Sequence, residues 1–237
     1  LEQHPLPSIL REPLDRVILN VKRLNQPGEP KKILSLAIQP PKISDIERTI
    51  INLKEVGALS LRCKEALTSE KFNPNNGDLT YVGYVMSNLP IDVRLSKLIL
   101  LGHVFGKLRE AVIIAAGLST KTFFTCYYKS YLEAYQAKWI WANGWFCDCI
   151  AILNAYNLYE SMKENRNFAR RDDEYKWARA HMIDLKRLKE VEKLKYEIES
   201  RLKHLRITDN SSVKLNSQTE INSYNIDEKH ETFDNLI

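Results

Sequence analysis

Apolar side chains recur every three or four positions over most of the chain, and this spacing predicts helices. The first clear case is Leu14–Leu24, which follows three prolines within thirteen residues. A second helix is predicted to begin at Ser44, because Ser44 and Glu47 have the spacing of a capping box. It is predicted to run to about Val56, where Gly57 is suited to end it. The pattern favours a mainly α protein.

One interval departs from helical spacing. Ala58–Leu61 and Leu79–Val82 are β-prone and flank a polar stretch that ends in the turn sequence Asn73–Gly77, so we predict a small β-hairpin. Two helices followed by a hairpin are typical of a winged-helix domain. We therefore predict a winged helix over residues 14–82, preceded by a linker over residues 1–13.

Beyond residue 83 the spacing is helical again. The predicted helices cover residues 84–89, 92–104, 108–118, 127–139 and 148–161. Apolar positions from Tyr175 to Leu205 then predict one helix of about 30 residues and ~45 Å. Its opposite face is predicted to be basic, with Arg179, Lys186, Lys189, Lys193, Lys195 and Lys203. The fold class that follows is a winged helix and an α-helical bundle over residues 83–206, with a flexible acidic tail over residues 207–237.

The distribution of charge is more informative than its total. The formal net charge is +5, but residues 162–206 carry 14 Lys and Arg against 9 Asp and Glu, and the tail carries 2 against 6. The negative charge of the tail nearly cancels the positive charge of this segment, so the total understates a local basic surface. No signal peptide or bilayer-length apolar run is visible, so no membrane partner is expected. The four cysteines lack metal-site spacing and are predicted to be free thiols.

Catalytic motifs are missing from the sequence. ATP-driven motors need a G-x-x-x-x-G-K-[ST] loop and a pair of metal-binding carboxylates. Residues 116–122 end like such a loop, but Thr120 replaces its last glycine and Ala115 its first. The histidines are scattered, and no nucleophile and base share a recognisable spacing. We expect no catalytic residue, no metal site and no cofactor in this segment.

Five motifs in order carry a family resemblance. They are Leu53–Leu59 (LKEVGAL), Leu79–Gly83 (LTYVG), Leu89–Lys97 (LPIDVRLSK), Ala115–Ser119 (AAGLS) and Asp148–Tyr156 (DCIAILNAY). Together they resemble the helicase-associated region of DEAH/RHA-type RNA helicases, over about residues 10–205. Residues 44–50, 101–106 and 174–177 are most similar to the tudor-domain branch that acts in the piRNA pathway.

The resemblance implies a place in a larger machine. Such a segment follows the second of two RecA-like domains, which bind ATP and Mg²⁺, and precedes an OB-fold. It implies a winged-helix hub that supports the motor and a helical ratchet that lines the path of single-stranded RNA. It also implies an ATP-dependent RNA helicase as the parent enzyme, Piwi-pathway partners, transposon silencing, and location in cytoplasmic perinuclear germ granules (nuage).

The resemblance also supplies candidate RNA-binding residues. Lys186 stands where the family usually has Arg, and His181 stands where it often has Asn or His. Contact with RNA is one interpretation of these two residues, and solvation or local ion pairing is the alternative. Arg94 and Lys97 belong to a family motif, but they could equally anchor the ratchet to the winged helix. Lys121 and Lys189 are two further candidates for RNA binding, and Lys189 comes from the basic face of the last helix rather than from a family motif. Trp139, Trp141 and Trp145 could stack bases or serve as core or partner contacts.

Two other functions stay open on the sequence. One is a free-standing winged-helix module that binds nucleic acid, although its second helix has an unfavourable balance of acids and bases for reading a groove. The other is a protein-interaction scaffold that uses the long last helix.

Overall fold

A computed structural model describes residues 7–24, 29–61, 75–126, 131–168 and 170–208. These residues form eleven helices and no sheet, which confirms the prediction of a mainly α protein. The helices are α1 (Ser8–Arg11), α2 (Asp15–Arg23), α3 (Pro30–Leu34), α4 (Ile43–Val56), α5 (Tyr81–Asn88), α6 (Val93–Val104), α7 (Leu108–Ser119), α8 (Tyr131–Trp141), α9 (Asp148–Glu164), α10 (Arg171–Ala180) and α11 (Leu185–His204). The predicted tail beyond residue 208 lies outside the described residues.

The first part of the chain packs around its own apolar core. Helices α2, α3, α4 and α5 contribute to it, and we call this the hub core. Its buried side chains are Leu14, Ile18, Leu19, Leu34, Ile46, Ile50, Leu53, Ala58, Leu59, Met86 and Val93. Those of α2 and α4 come from the apolar positions that predicted these two helices, because the spacing that defines a helix face also lets that face be buried. The sequence did not predict α3, and it predicted Ala58 and Leu59 as part of the hairpin.

The predicted start of α4 is wrong, and its predicted end is confirmed. The helix begins one residue earlier, at Ile43, and Lys42 holds the N-cap position without a side-chain hydrogen bond. Glu47 does not close a capping box, because its carboxylate pairs with Lys31 of α3 at 2.8 Å. Gly57 ends the helix with a φ of 86°, a left-handed conformation that suits glycine.

The predicted hairpin is reduced to a single antiparallel bridge between Leu59 and Leu79 within the described residues. The predicted strand over Tyr81 and Val82 is wrong, because both residues belong to α5. Thr80 caps that helix by accepting a hydrogen bond from the Gly83 N–H at 3.0 Å. Residues 62–74, the predicted tip of the hairpin, lie outside the described residues, so the winged helix itself stays a prediction.

The glycine of the LTYVG motif has a packing role. Gly83 lies inside α5, directly against the backbone of Ala58. A Cβ atom at position 83 would lie 2.1 Å from the Ala58 carbonyl oxygen, far inside contact distance. Only a residue without a side chain allows α5 to approach the end of α4 this closely.

The second part of the chain packs around α7. Helices α6, α9 and α11 surround α7, and we call their shared interior the bundle core. Small residues allow close contact there, since a Cβ on Gly117 would lie 2.4 Å from Ile152 of α9. The fully buried side chains include Ile99, Ile113, Ala115, Ala116, Ala151, Ala155, Leu188, Val191 and Ile198.

Helix α5 joins the two cores. Val85 and Leu89 contribute to the bundle core, whereas Met86 faces the hub core. The predicted domain boundary between residues 82 and 83 falls inside this helix, and the division into domains stays a prediction.

Asn88, at the end of α5, accepts hydrogen bonds from one helix of the hub and one helix of the bundle. Its side-chain oxygen accepts a hydrogen bond from Arg23 of α2 at 3.0 Å. Its backbone oxygen accepts one from Arg201 of α11 at 2.7 Å. The end of α11 is therefore tied to the point where the hub and the bundle meet.

The prediction of one long last helix is wrong. Helices α10 and α11 are separate, with residues 181–184 between them. Met182 has a φ of 53°, which breaks the helical path, and Ile183 pairs with Phe124. The Asp184 side chain then accepts the N–H groups of Lys186 and Arg187 and starts α11. Helix α11 has 20 residues, a length of about 30 Å.

The other predicted helices of this part agree with the structure within a few residues. The exception is the start of the helix predicted at residue 127, since residues 127–130 lie outside the described residues.

Candidate nucleic-acid interface

A short extended segment lies along the break between α10 and α11. We call residues 121–126 the strap. The Asp184 N–H donates to the Phe123 carbonyl at 2.7 Å, and the Thr125 N–H donates to the Met182 carbonyl at 2.8 Å. The Arg187 guanidinium adds a hydrogen bond to the Thr122 carbonyl at 2.8 Å. These contacts hold the strap at the first turn of α11.

Two of the predicted RNA-binding lysines are sequence neighbours of Thr122 and Arg187, which join the strap to α11. Lys121 begins the strap and Lys186 occupies the first turn of α11, and both are exposed. Neither makes an ion pair with another residue of the described ranges. Their ammonium groups are therefore available to an anionic ligand such as a nucleic-acid phosphate.

His181 lies at the same break and is held by aromatic rings. Its ring centroid is 4.8 Å from that of Trp177 and 5.7 Å from that of Trp141. Its Nδ1 lies 2.8 Å from the Trp177 carbonyl oxygen, which can only accept a hydrogen bond, so Nδ1 carries the proton. The half-buried ring is thus fixed in orientation beside the strap.

Lys189 has a different environment from Lys186. It pairs with Glu174 of α10 at 2.6 Å, and the same carboxylate accepts the Tyr159 hydroxyl at 2.7 Å. Burial alone would raise the pKa of the Glu174 carboxyl, but the hydrogen bonds from Lys189 and Tyr159 outweigh it and lower that pKa. Lys189 therefore ties α11 to α10, and its charge is already neutralised.

The predicted exposed basic face of the last helix is wrong at Lys195. Its side chain is only 12% exposed and lies 2.5 Å from the Glu160 carboxylate of α9. Arg109 of α7 reaches the same carboxylate at 2.5 Å, so Glu160 joins three helices. Burial would raise the pKa of Glu160, but the hydrogen bonds from Lys195 and Arg109 outweigh it and lower that pKa.

Arg94 and Lys97 lie elsewhere, on α6. The Arg94 backbone N–H donates to the Asp92 side chain at 2.8 Å. Burial raises the pKa of Asp15 in the hub, and the nearby Arg94 charge opposes that rise. Arg94 therefore belongs to the surroundings of the hub core rather than to the strap.

The three predicted tryptophans separate into two environments. Trp141 is buried in the bundle core, whereas Trp139 and Trp145 are exposed at the end of α8 and just beyond it. Sequence reasoning missed Arg187 and the strap, because no local pattern shows that residues 121–126 pair with residues 181–184. It also missed that α8 leaves further large side chains exposed.

The two lowered carboxyl pKa values predict a dependence of stability on pH. A carboxyl group with a lowered pKa in the folded state stabilises the fold above its unfolded pKa and loses this effect as the pH falls. For Glu160 and Glu174 the ordinary value is 4.5. We expect the free energy of unfolding to be nearly constant from about pH 7 to about pH 5 and to fall steeply below about pH 4.5. Urea denaturation at several pH values measures it.

The control is a chain with both Glu160→Gln and Glu174→Gln. It should be less stable at neutral pH and should lose less stability on acidification. An equally steep fall in this variant would contradict the assignment of the pH dependence to these two groups.

Within the described ranges there is neither a group of potential metal ligands nor a membrane-spanning helix. No group of three or more His, Cys, Asp or Glu within them could hold a metal ion, and none of their helices is long and apolar enough to cross a membrane. Cys126, Cys147 and Cys149 are free thiols, and Cys63 lies outside the described residues.

The described residues form a helical hub and a helical bundle, with Lys121 and Lys186 exposed where the strap meets α11. Comparison with known proteins identifies the relatives. The chain is 41% identical over 202 residues to the ATP-dependent RNA helicase TDRD9 of Mus musculus, which is 85% of this chain and 14% of that protein. It is 43% identical over 199 residues to the probable ATP-dependent RNA helicase spindle-E of Aedes aegypti, 84% of this chain and 14% of that protein.

The similarity extends to fish, since TDRD9 of Danio rerio is 38% identical over 207 residues. The chain is therefore a homologue of one segment of the TDRD9 and spindle-E RNA helicases, and it resembles their helicase-associated region. It spans about one seventh of the length of these relatives. No family model matches it.

Proposed function

We propose that the chain is the non-catalytic helicase-associated region of an ATP-dependent DExH-box RNA helicase, and that it lines the path of single-stranded RNA. The observation that carries this proposal is the strap, which begins at the exposed Lys121 and is hydrogen-bonded to the segment between His181 and Arg187. The relatives are RNA helicases by name, which supports RNA as the nucleic acid.

The proposed mechanism is electrostatic and independent of sequence. Lys121 and Lys186 neutralise phosphates and release counterions, which supplies affinity without reading bases. His181 adds a fixed polar edge beside them. Movement along RNA then comes from a motor outside this segment, whose RecA-like domains bind ATP and Mg²⁺. This chain supplies none of the phosphate-binding motifs, so alone it should hydrolyse no ATP.

The hub is proposed to contact other domains of the parent protein. Its proposed partners are the RecA-like domains and the OB-fold. Arg94 and Lys97 are proposed to anchor the bundle to the hub rather than to bind RNA. Through the parent, the proposed role is piRNA-mediated transposon silencing with Piwi-pathway proteins in perinuclear germ granules. These finer statements rest on the resemblance to the spindle-E branch and on the relatives' names.

The test is charge reversal at the strap. The chain is expected to bind single-stranded RNA weakly, with log K falling by ~0.7 per phosphate contact for each unit of log salt. Lys121→Glu with Lys186→Glu should weaken binding at least tenfold and reduce the salt slope, because two phosphate contacts are lost. Fluorescence anisotropy with labelled oligouridylate measures both, and the melting temperature should stay unchanged.

Lys32→Glu, an exposed lysine on α3 of the hub, is the matched control and should leave affinity nearly unchanged. RNA-stimulated ATP hydrolysis by the chain alone would overturn the non-catalytic assignment. Sequence-specific DNA binding would favour a free-standing winged-helix module, and absence of any RNA binding would favour a protein scaffold.

A further inference from the structure

Helix α8 exposes large side chains that a helix of this composition usually buries. Only Trp141 of its eleven residues is buried. The exposed large side chains of α8 and the turn after it are Tyr131, Leu132, Tyr135, Trp139, Trp145 and Phe146. Trp145 is 69% exposed and Phe146 is 87% exposed. This concentration of aromatic surface is much larger than the scattered apolar residues of an ordinary surface.

Part of this surface forms a cleft. Aromatic side chains dominate its lining, and we call it the aromatic cleft. It is lined by Tyr135, Lys138, Trp139, Ala142, Trp145, Phe146, Cys147 and Asp148. Tyr135 and Trp139 are four residues apart on α8, so their Cβ atoms lie about 6 Å apart on one face of the helix.

The central indole of the cleft is held in place. The Trp139 Nε1–H donates to the Gly144 carbonyl at 3.1 Å, so its polar edge is satisfied. Gly144 has a φ of 78°, and a Cβ there would lie 3.6 Å from the Trp139 ring. The turn after α8 thus supports one side of the ring, which leaves a rigid and partly exposed aromatic surface.

The electrostatics of the cleft are compatible with a polyanion. Asp148 is the one carboxylate in its lining. The Lys138 ammonium neutralises it at 2.8 Å. No unpaired negative charge in the lining would therefore repel a phosphate backbone that passes the cleft.

The cleft borders the strap at one point. The Lys138 Nζ that lines the cleft lies 5.9 Å from the centroid of the Phe124 ring. Phe124 belongs to the strap and pairs with Ile183. A strand that is bound at the strap and passes Lys138 would bring its bases to Trp139 and Trp145.

We propose that the aromatic cleft stacks unpaired bases of the same RNA strand whose phosphates bind the strap. The inference rests on the proposed RNA path and adds a second kind of contact to it. The ligand is single-stranded RNA of any sequence, because every base offers a π-face to an aromatic ring. Duplex RNA is excluded, since its bases are already stacked on each other.

Intrinsic fluorescence offers a direct test on the full 237-residue chain. Of the four tryptophans, Trp139 and Trp145 are exposed and line the cleft, whereas Trp141 and Trp177 are buried. Oligouridylate is compared with an abasic oligonucleotide of the same length, which keeps the phosphates and lacks the bases. Oligouridylate should bind at least about fivefold more tightly and quench the fluorescence, and the abasic strand should not quench it.

Variants at Trp145 separate stacking from folding. Trp145→Leu should remove the preference for the base-bearing strand and leave affinity for the abasic strand unchanged. Trp145→Phe, which keeps an aromatic face, should retain most of the preference. Lys186→Glu should weaken both strands alike, because it acts on phosphates.

Each other outcome overturns the inference. Equal binding of both strands, with Lys186→Glu weakening each, would leave the proposed RNA path intact and remove the stacking role. An equal loss for both strands in Trp145→Leu would show a structural effect. A change in oligomeric state without a change in RNA affinity would make the cleft a protein interface. If neither oligonucleotide bound, the proposal that this chain lines an RNA path would be contradicted as well.

Discussion

Replacement of Gly83 by alanine is expected to destabilise the chain by roughly 3 kcal/mol or more. The added Cβ would lie 2.1 Å from the Ala58 carbonyl oxygen. That oxygen accepts the Thr80 N–H at 3.1 Å. It also lies 3.0 Å from the Thr80 hydroxyl, whose nearer acceptor is the Gly57 carbonyl at 2.7 Å, so a shift of this oxygen would disturb the contacts between Thr80 and the end of α4. Helix α5 must therefore shift away from the end of α4. Because α5 contributes side chains to both the hub core and the bundle core, this shift would loosen the packing of both. Chemical denaturation monitored by circular dichroism measures the loss.

Gly57→Ala provides the matched control. Gly57 has a φ of 86° and no atom within 4 Å of an added Cβ, so alanine there meets conformational strain but no clash. Its cost should be about 1–2 kcal/mol. If the two variants were equally stable, the close approach of α5 to Ala58 would not be the reason for glycine in the LTYVG motif.

Replacement of Glu160 by glutamine is expected to cost roughly 2–4 kcal/mol, somewhat below the range for a fully buried ion pair. Glu160 neutralises Arg109 of α7 and Lys195 of α11 from its place on α9. The Lys195 side chain is mostly buried, and its remaining carboxylate neighbour, Glu199, is 3.7 Å away. The variant thus leaves a desolvated ammonium with weak compensation. Urea denaturation at neutral pH gives the difference.

Glu110→Gln is the corresponding surface control. Glu110 pairs with Lys107 at 3.8 Å, where the lysine is largely exposed. Its loss should cost no more than about 0.5 kcal/mol, since exposed pairs are screened by solvent. A loss at Glu160 as small as that at Glu110 would show that the three-helix network contributes little to stability.

The elements predicted correctly are those set by local sequence. The apolar spacing of α2, α4, α6, α7 and α9 predicted these helices within a few residues, because each helix buries the face that its own spacing defines. The role of Gly57 was also predictable from local sequence, because helices commonly end at a glycine in the left-handed conformation.

The error at the last helix arises where distant segments meet. The apolar spacing continues from α10 into α11, so no local sequence pattern predicts the break between the two helices at Met182. The break is stabilised by the strap, about 60 residues earlier in the chain, through Phe124 and Thr125. Tyr81 and Val82 are β-prone, but Thr80 caps α5 and draws them into a helix.

The candidate site was predictable in part. The family resemblance indicated Lys186 and His181, and the structure places both beside the strap. It could not show that Lys189 is neutralised by Glu174, because the two residues are brought together by the packing of α10 on α11. Whether these residues bind RNA stays a prediction.

Helix α11 is held at both ends, by Arg201 on the backbone oxygen of Asn88 and by Arg187 on the backbone oxygen of Thr122. Lys186 lies 15 residues from Arg201 along the helix, which is about 22 Å. Helix α11 is therefore a strut of fixed length, and it sets the distance between the strap and the point where the hub and the bundle meet.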